Sequence, residues 1–355
     1  MKVSIVYQCT GAHGWSIAET YVNAARRLGL LHRTFAPRAR WGASKPKQDD
    51  GLADFLVHAG PEDIVLLCGF DWHSQPLHRC ARFRRLLQRS RATRVGIFQE
   101  HLSAPWIAAD PSASEQFHSA LLSALPLLSH VACNHEGDVA HLRAMGVDLP
   151  VEFIPFAADL DVFCEITPFA ARPLKAFFRG KQQRLLDTDP YHLRNGLIES
   201  TRGREAFVYE ALSEPSFLDR QGMLRSYVAD LNAYAIQLNL PSLSRSMTCR
   251  PFEIAACGGV LVQPAAEGEI GSRLFPPNTF VSFDPGSAQS LVDAVEFCRR
   301  EPREAARRAA AASALVRAEH SGEQRMRQLL RWVGDRRGAH ERDASSFGLA
   351  LTTSG

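Results

Sequence analysis

Apolar residues in the first half of the chain fall into short, nearly unbroken runs, separated by longer stretches in which they recur at helical spacing. Val3-Ser4-Ile5-Val6 and Ile64-Val65-Leu66-Leu67 are runs of the first kind, and a strand apolar on both faces belongs in a parallel sheet covered by helices. The pattern predicts strands at residues 3–7, 63–68, 94–98, 130–133 and 151–154, with helices at 16–28, 77–90, 114–122 and 136–145. Gly146 after the last helix suits a stop. A β-α-β series of this kind is a doubly wound domain.

The plan repeats after residues 159–172, a charged, proline-bearing segment that reads as a linker. Strands are predicted at 176–178, 206–210, 234–238, 260–263 and 280–283, and helices at 192–199, 223–231, 252–257 and 288–300. A last helix, 303–332, is rich in alanine, which favours helix, and in arginine, which favours solvent; it is expected to pack back across both domains. The fold class is thus α/β, with two Rossmann-like doubly wound domains facing a cleft: residues 1–165 and 173–335, followed by a polar tail at 338–355. Ligands of such sheets bind beyond the carboxyl ends of the strands, so the loops there are where chemistry is expected.

Composition narrows the function classes. With 355 residues, 45% of them apolar, the chain can bury two sizeable cores. Its 41 basic and 38 acidic residues leave a net charge of +3, without the basic excess of a nucleic-acid binder, so the arginine clusters at 79–94 and 299–308 read as solvated helix faces. Eight cysteines form no C-x-x-C pair and read as buried thiols in a reducing, cytoplasmic compartment. The opening apolar run is too short for a secretory or membrane segment and no later one reaches spanning length, which leaves room only for weak contact of a basic helix with a membrane surface.

Four strand-end loops carry candidate chemistry. After the first strand, residues 8–16 lead into a helix; Gly11 and Gly14 let the backbone approach a phosphate, or the loop is an ordinary turn capped by Ser16. After residue 98 stand Glu100 and His101, where a carboxylate can orient an imidazole as proton acceptor for a hydroxyl nucleophile, or one of the two caps locally. Arg179-Gly180-Lys181 set two cations at the end of the strand that opens the second domain, suited to a diphosphate and to the charge that grows on it as it leaves. Residues 250–262, Arg-Pro-Phe-Glu-Ile-Ala-Ala-Cys-Gly-Gly-Val-Leu-Val, read as a short helix with proline in its first turn, a double glycine and a buried strand. Glu253 in that turn either accepts both hydroxyls of a ribose or serves as a helix-dipole partner.

The stretch 250–262 resembles the donor-site signature of glycosyltransferases with the GT-B fold, those of family 4 and its spore-maturation-protein-type relatives, the group 1 glycosyl transferases. Gly268-Glu269-Ile270, Phe280-Val281-Ser282-Phe283 and His320-Ser321 accompany it, and residues 134–146 with 153–163 are similar to that family's domain junction. The similarity covers roughly residues 233–330 and the junction; elsewhere only the layout matches. The resemblance implies that Glu253 holds the nucleotide ribose and that Arg179 and Lys181 bind the donor diphosphate. It implies that the loop 244–250, with Ser246, Thr248 and Arg250, faces the phosphates, that Glu269 lies on the same donor side, and that Gly11 and Gly14 close over the donor. By the same likeness His101, beside Glu100, falls near the reacting sugar.

The activity so implied is transfer of a hexose or hexosamine from a UDP- or GDP-sugar to a hydroxyl acceptor (glycan, lipid or small molecule). Retention is expected, with no metal, no cofactor and no nucleic-acid partner. A sugar-nucleotide epimerase and a non-catalytic nucleotide-sugar-binding protein are the alternatives. One departure bears on this: family 4 has two glutamates with seven residues between them, and Arg245 stands where the first would be, as it is also missing from the spore-maturation-type relatives. Donor sugar and stereochemistry therefore stay open. Asp187-Thr188-Asp189 precedes a proline and reads as a loop cap, and His135 and His141 are spaced wrongly to share a zinc-binding helix face.

Overall fold

A computed structural model describes residues 1–7, 17–35, 59–69, 81–99, 102, 111–180, 192–211, 220–241, 248–264 and 273–335. In the first half, β1 (Val3–Tyr7), α1 (Ile17–Arg27), β2 (Leu31–Phe35), β3 (Ile64–Cys68), α2 (Ala81–Arg89), β4 (Thr93–Phe98), α3 (Pro111–Ala124), β5 (His130–Cys133), α4 (Glu136–Ala144) and β6 (Val151–Phe153) follow in turn. Their strands pair in parallel in the order β2-β1-β3-β4-β5-β6. The second half runs β7 (Ala176–Gly180), α5 (His192–Thr201), β8 (Phe207–Ala211), α6 (Arg220–Ala233), β9 (Ile236–Leu238), α7 (Arg250–Ala256), β10 (Val260–Pro264), β11 (Phe280–Phe283), α8 (Ala288–Arg300) and α9 (Pro302–Glu319), and ends in α10, residues 322–335. Its sheet is parallel as well, in the order β11-β10-β9-β7-β8.

The first sheet is covered on two faces, which is why its central strand β3 is apolar throughout. Val65 and Leu67 face a core with Phe83 and Leu87, whereas Ile64 and Leu66 face another with Tyr21, Met326 and Leu329. Burying each such side chain stabilises the fold by about 1.5–3 kcal/mol. The apolar pattern misses β2, Leu-His-Arg-Thr-Phe, because an edge strand with half-exposed and exposed side chains needs no such pattern.

Residues 159–172 join the two sheets, and the charges at both ends of the segment are taken out of water. Asp159 and Arg172 are buried, and Arg172 donates to the carbonyls of Leu231 at 3.3 Å and Cys257 at 2.7 Å and to Asn232 Oδ1 at 3.2 Å. Sequence alone reads such charges as surface, but each here finds enough partners to be taken out of water. Of the arginines read as a solvated face, Arg84 and Arg94 are likewise tied down, donating to the carbonyls of Ser123 and Leu87, each at 2.8 Å.

The predicted helix 303–332 divides at His320-Ser321. There Ala158 N donates to His320 O at 3.1 Å and Gly322 N to Ala158 O at 3.0 Å, pairing the two places where the chain passes between the sheets. Before the break, Ala305 and Ala309 pack on the second sheet's core; after it, Met326, Leu329 and Val333 pack on the first. Arg27 ties this junction by ion pairs to Asp159 at 3.0 Å and to Asp161 and Glu323, and Asn23 adds a 2.6 Å hydrogen bond to Asp159.

The strand orders locate the crevices. In the second sheet the winding reverses between β7 and β9, so the gap beyond their carboxyl ends is where a ligand of a doubly wound sheet sits. The corresponding reversal in the first sheet lies between β1 and β3.

Candidate functional site

β7 ends in Phe178-Arg179-Gly180 at that reversal. Glycine is required at 180, since a Cβ would stand 2.6 Å from Cζ of the buried Phe178 ring and 3.4 Å from Nη2 of Arg250. The short α7 brings Arg250 to this point. Proline in its first turn starts the helix, and Gly258 at φ +73° stops it in a conformation that side-chain-bearing residues rarely adopt. Gly259 then lets the chain pass Gln237 of β9, whose Cγ would lie 2.8 Å from a Cβ there.

Around this point the structure gathers Arg179, Arg250 and Glu253, and its organiser is a residue the sequence did not single out, Tyr227 on α6. The Tyr227 hydroxyl donates to Glu253 Oε2 at 2.9 Å, and Glu253 is only 1% exposed. The Arg250 guanidinium lies over the Phe178 ring at 4.7 Å and the Tyr227 ring at 5.8 Å. Arg179 is bonded to the residues flanking Tyr227 on α6: it donates to Ser226 Oγ at 2.8 Å and pairs with Asp230. Thr248, half-buried, precedes α7. Nothing in the sequence marks Tyr227, because an aromatic at helical spacing reads as core and its partner lies 26 positions away.

The electrostatics keep Glu253 supplied with neutral donors. Burial, and then the Glu253 charge, push the Tyr227 phenol well above its usual range. The same two causes, in the same order, raise the Cys249 thiol, which also hydrogen-bonds Glu253. A carboxylate held in this way keeps acceptor capacity for further donors, such as vicinal hydroxyls.

Gly11, Gly14, Glu100, His101, Lys181, Ser246 and Glu269 lie outside the described residues. The two residues bracketing Glu100 and His101 are described, however, and α4 and the residue before it hold them. His135 Nε2 donates to the Gln99 carbonyl at 3.1 Å, and the Leu102 N–H donates to Oδ1 of the fully buried Asp138 at 3.0 Å.

Residues 218–331 match the sequence model of a family described as glycosyl transferase-like, a span that contains α7, Glu253 and the junction at His320. No curated protein matches the chain in sequence. Among solved structures, sucrose-phosphate synthase from Thermosynechococcus elongatus is 12% identical with a TM-score of 0.59, over 96% of this chain and 100% of that one. Anabaena HepE in complex with UDP-glucose is 13% identical with a TM-score of 0.60, over 94% and 100%. The α,α-trehalose 6-phosphate synthase from Burkholderia multivorans is 10% identical with a TM-score of 0.58, over 96% and 99%. At these identities the likeness is one of fold: the chain has the GT-B architecture of two parallel-sheet α/β domains.

Proposed function

We propose that this chain is a glycosyltransferase that moves a hexose or hexosamine from a UDP- or GDP-sugar to a hydroxyl acceptor, with retention and without a metal. The observation that carries the reading is the pairing of a buried carboxylate, Glu253, with an aromatic-seated guanidinium, Arg250, about one tyrosine at the reversal of the second sheet. That pair matches the two ends of a nucleoside diphosphate, whose ribose offers two hydroxyl donors and whose diphosphate offers anionic oxygens. Charge growing on the departing diphosphate is balanced by protein cations, the role a metal otherwise fills.

The glycosyl transferase-like match over residues 218–331 supports this assignment, and the UDP-glucose held by a protein of the same fold favours a uridine donor. Lys181, Ser246, Thr248 and Glu269 are assigned to the donor side, with Gly11 and Gly14 closing over it. Glu100 and His101 are assigned to the acceptor hydroxyl, as orienting carboxylate and proton acceptor. The acceptor is a glycan, a lipid or a small molecule. The reaction is assigned to the cytoplasm, a reading supported by the described cysteines, all of which are free thiols. No helix among the described residues is long and apolar enough to cross a membrane.

Thermal unfolding in the presence of UDP, GDP and their sugars tests the reading directly. A donor at a hundred times its dissociation constant stabilises the fold by about 2.7 kcal/mol. Failure of every nucleoside diphosphate and every nucleotide sugar to raise the melting temperature would end the proposal.

A further inference from the structure

Two arginines stand at the end of β7, and their surroundings differ in kind. Arg179 is already paired: Asp230 offsets its charge, and both Asp230 and Ser226, the latter at 2.8 Å, take donors from its Nη1. Arg250 is half-buried, yet its guanidinium has no hydrogen bond or ion pair with any described residue. Two aromatic faces hold it instead, with the gap left by Gly180 alongside. Contact with a ring face uses no N–H of the guanidinium as a hydrogen-bond donor, so its fork is left for bidentate capture of a phosphate. A diphosphate brought to Arg179 would sit beside the Asp230 charge, whereas no carboxylate among the described residues pairs with Arg250.

We infer that Arg250, and not Arg179, is the cation that grips the donor diphosphate, and that Tyr227 is the positioning residue that aligns this grip with the ribose carboxylate. The inference rests on the glycosyltransferase reading and departs from what the resemblance implied for Arg179. Tyr227 reaches both ends of the ligand site at once: its hydroxyl fixes Glu253 and its ring face underlies Arg250. Arg179, through Ser226 and Asp230, holds the turn of α6 that presents Tyr227. Its part is structural support one step behind the ligand.

Calorimetric titration of the full chain with UDP and with uridine, repeated with GDP and guanosine, separates the two ends of the site. The diphosphate preference, the ratio of nucleoside to nucleoside diphosphate dissociation constants, reads the cation alone. Arg250→Met is expected to cut this preference by on the order of a hundredfold, the equivalent of one or two charge-assisted hydrogen bonds, while nucleoside affinity stays within about twofold. Arg250→Lys keeps the charge but loses the fork, and falls between the two. Arg179→Met leaves the preference unchanged even where it lowers the melting temperature. Tyr227→Phe keeps the ring under Arg250 and removes the donor to Glu253, so it weakens nucleoside and nucleoside diphosphate by the same factor; Tyr227→Leu also erodes the preference.

An unchanged preference in both Arg250 variants, or its collapse in Arg179→Met, overturns the assignment. A Tyr227→Phe protein with wild-type affinities removes Tyr227 from it. Should the unsubstituted chain bind none of the four ligands, the failure lies with the glycosyltransferase reading itself, and the inference goes with it.

Discussion

The hydroxyl of Tyr227 on α6 and Oε2 of Glu253 on α7 lie 2.9 Å apart, a buried hydrogen bond between two helices that the chain brings together only through the second sheet. A buried carboxylate served by neutral donors costs stability to keep, and sites of function are where such costs persist.

Glu253→Gln tests that cost. The amide fills the same volume without a charge to desolvate, but presents an NH2 donor where ribose hydroxyls need an acceptor. Nucleoside affinity is expected to fall at least about tenfold while the denaturation midpoint drops by less than about 1 kcal/mol equivalent or rises. Titration calorimetry and urea unfolding of the same preparation check both halves; lost stability with intact affinity would make Glu253 a purely structural group.

On the proposed assignment of Glu100 and His101 to the acceptor hydroxyl, Asp138 is a positioning residue. Its Oδ1 accepts from the Leu102 N–H at 3.0 Å, while His135, just before α4, holds the Gln99 carbonyl at 3.1 Å, so the residues on either side of Glu100 and His101 are both held. Asp138→Ala frees one end, and misplacing a proton acceptor by about 1 Å costs turnover on the order of a hundredfold. Nucleotide affinity, proposed to lie with the second sheet, should stay within about twofold. Asp138→Asn retains the acceptor and is expected to recover most of the turnover; an alanine variant with normal turnover would discount the bracket.

His320 predicts an acid limb of stability. It is buried at the junction against Phe252 and Phe275, its Nδ1 accepts from Arg325 at 2.6 Å, and burial, then the Arg325 charge, lower its pKa from 6.5 to about 4. Between those values the unfolded chain takes up a proton that the folded chain refuses, so stability is full above pH 6.5 and falls towards pH 4, by on the order of 3 kcal/mol. Urea midpoints measured across this range should show a shallower acid limb in His320→Gln than in the parent. Parallel limbs would mean that His320 is not the group responsible.

Gly322 tests the seat of α10. A Cβ there would approach Thr20 Cγ2 to 2.9 Å and the Thr20 carbonyl to 3.2 Å on α1, so Gly322→Ala is expected to destabilise the fold by about 1–3 kcal/mol. Thr20→Ser removes the methyl but not the carbonyl and should restore part of the loss in the double variant, which a double-mutant cycle resolves.

Much of the layout was legible in order along the chain. Strands at 64–68, 130–133 and 260–263 stand out because burial on both faces demands unbroken apolar runs, and α7 is bounded by a proline and a double glycine whose backbone roles are local. The short edge strand β2 was not legible, nor was the break at His320-Ser321 in an alanine-rich stretch that favours helix throughout. There the pairing with Ala158 overrides local propensity.

By itself, then, the amino-acid order determined what depends on near neighbours: two α/β halves, the stops and starts of their helices, and an acidic residue one turn into α7. Tertiary structure alone decided which charges meet a carboxylate and which meet aromatic rings. Arg179 and Arg250 look alike as residues near a strand end, but Asp230 reaches one, and two aromatic rings underlie the other. The physical reason is that ion pairing and stacking act over a few ångströms in space, between groups whose separation along the chain carries no sign of their meeting.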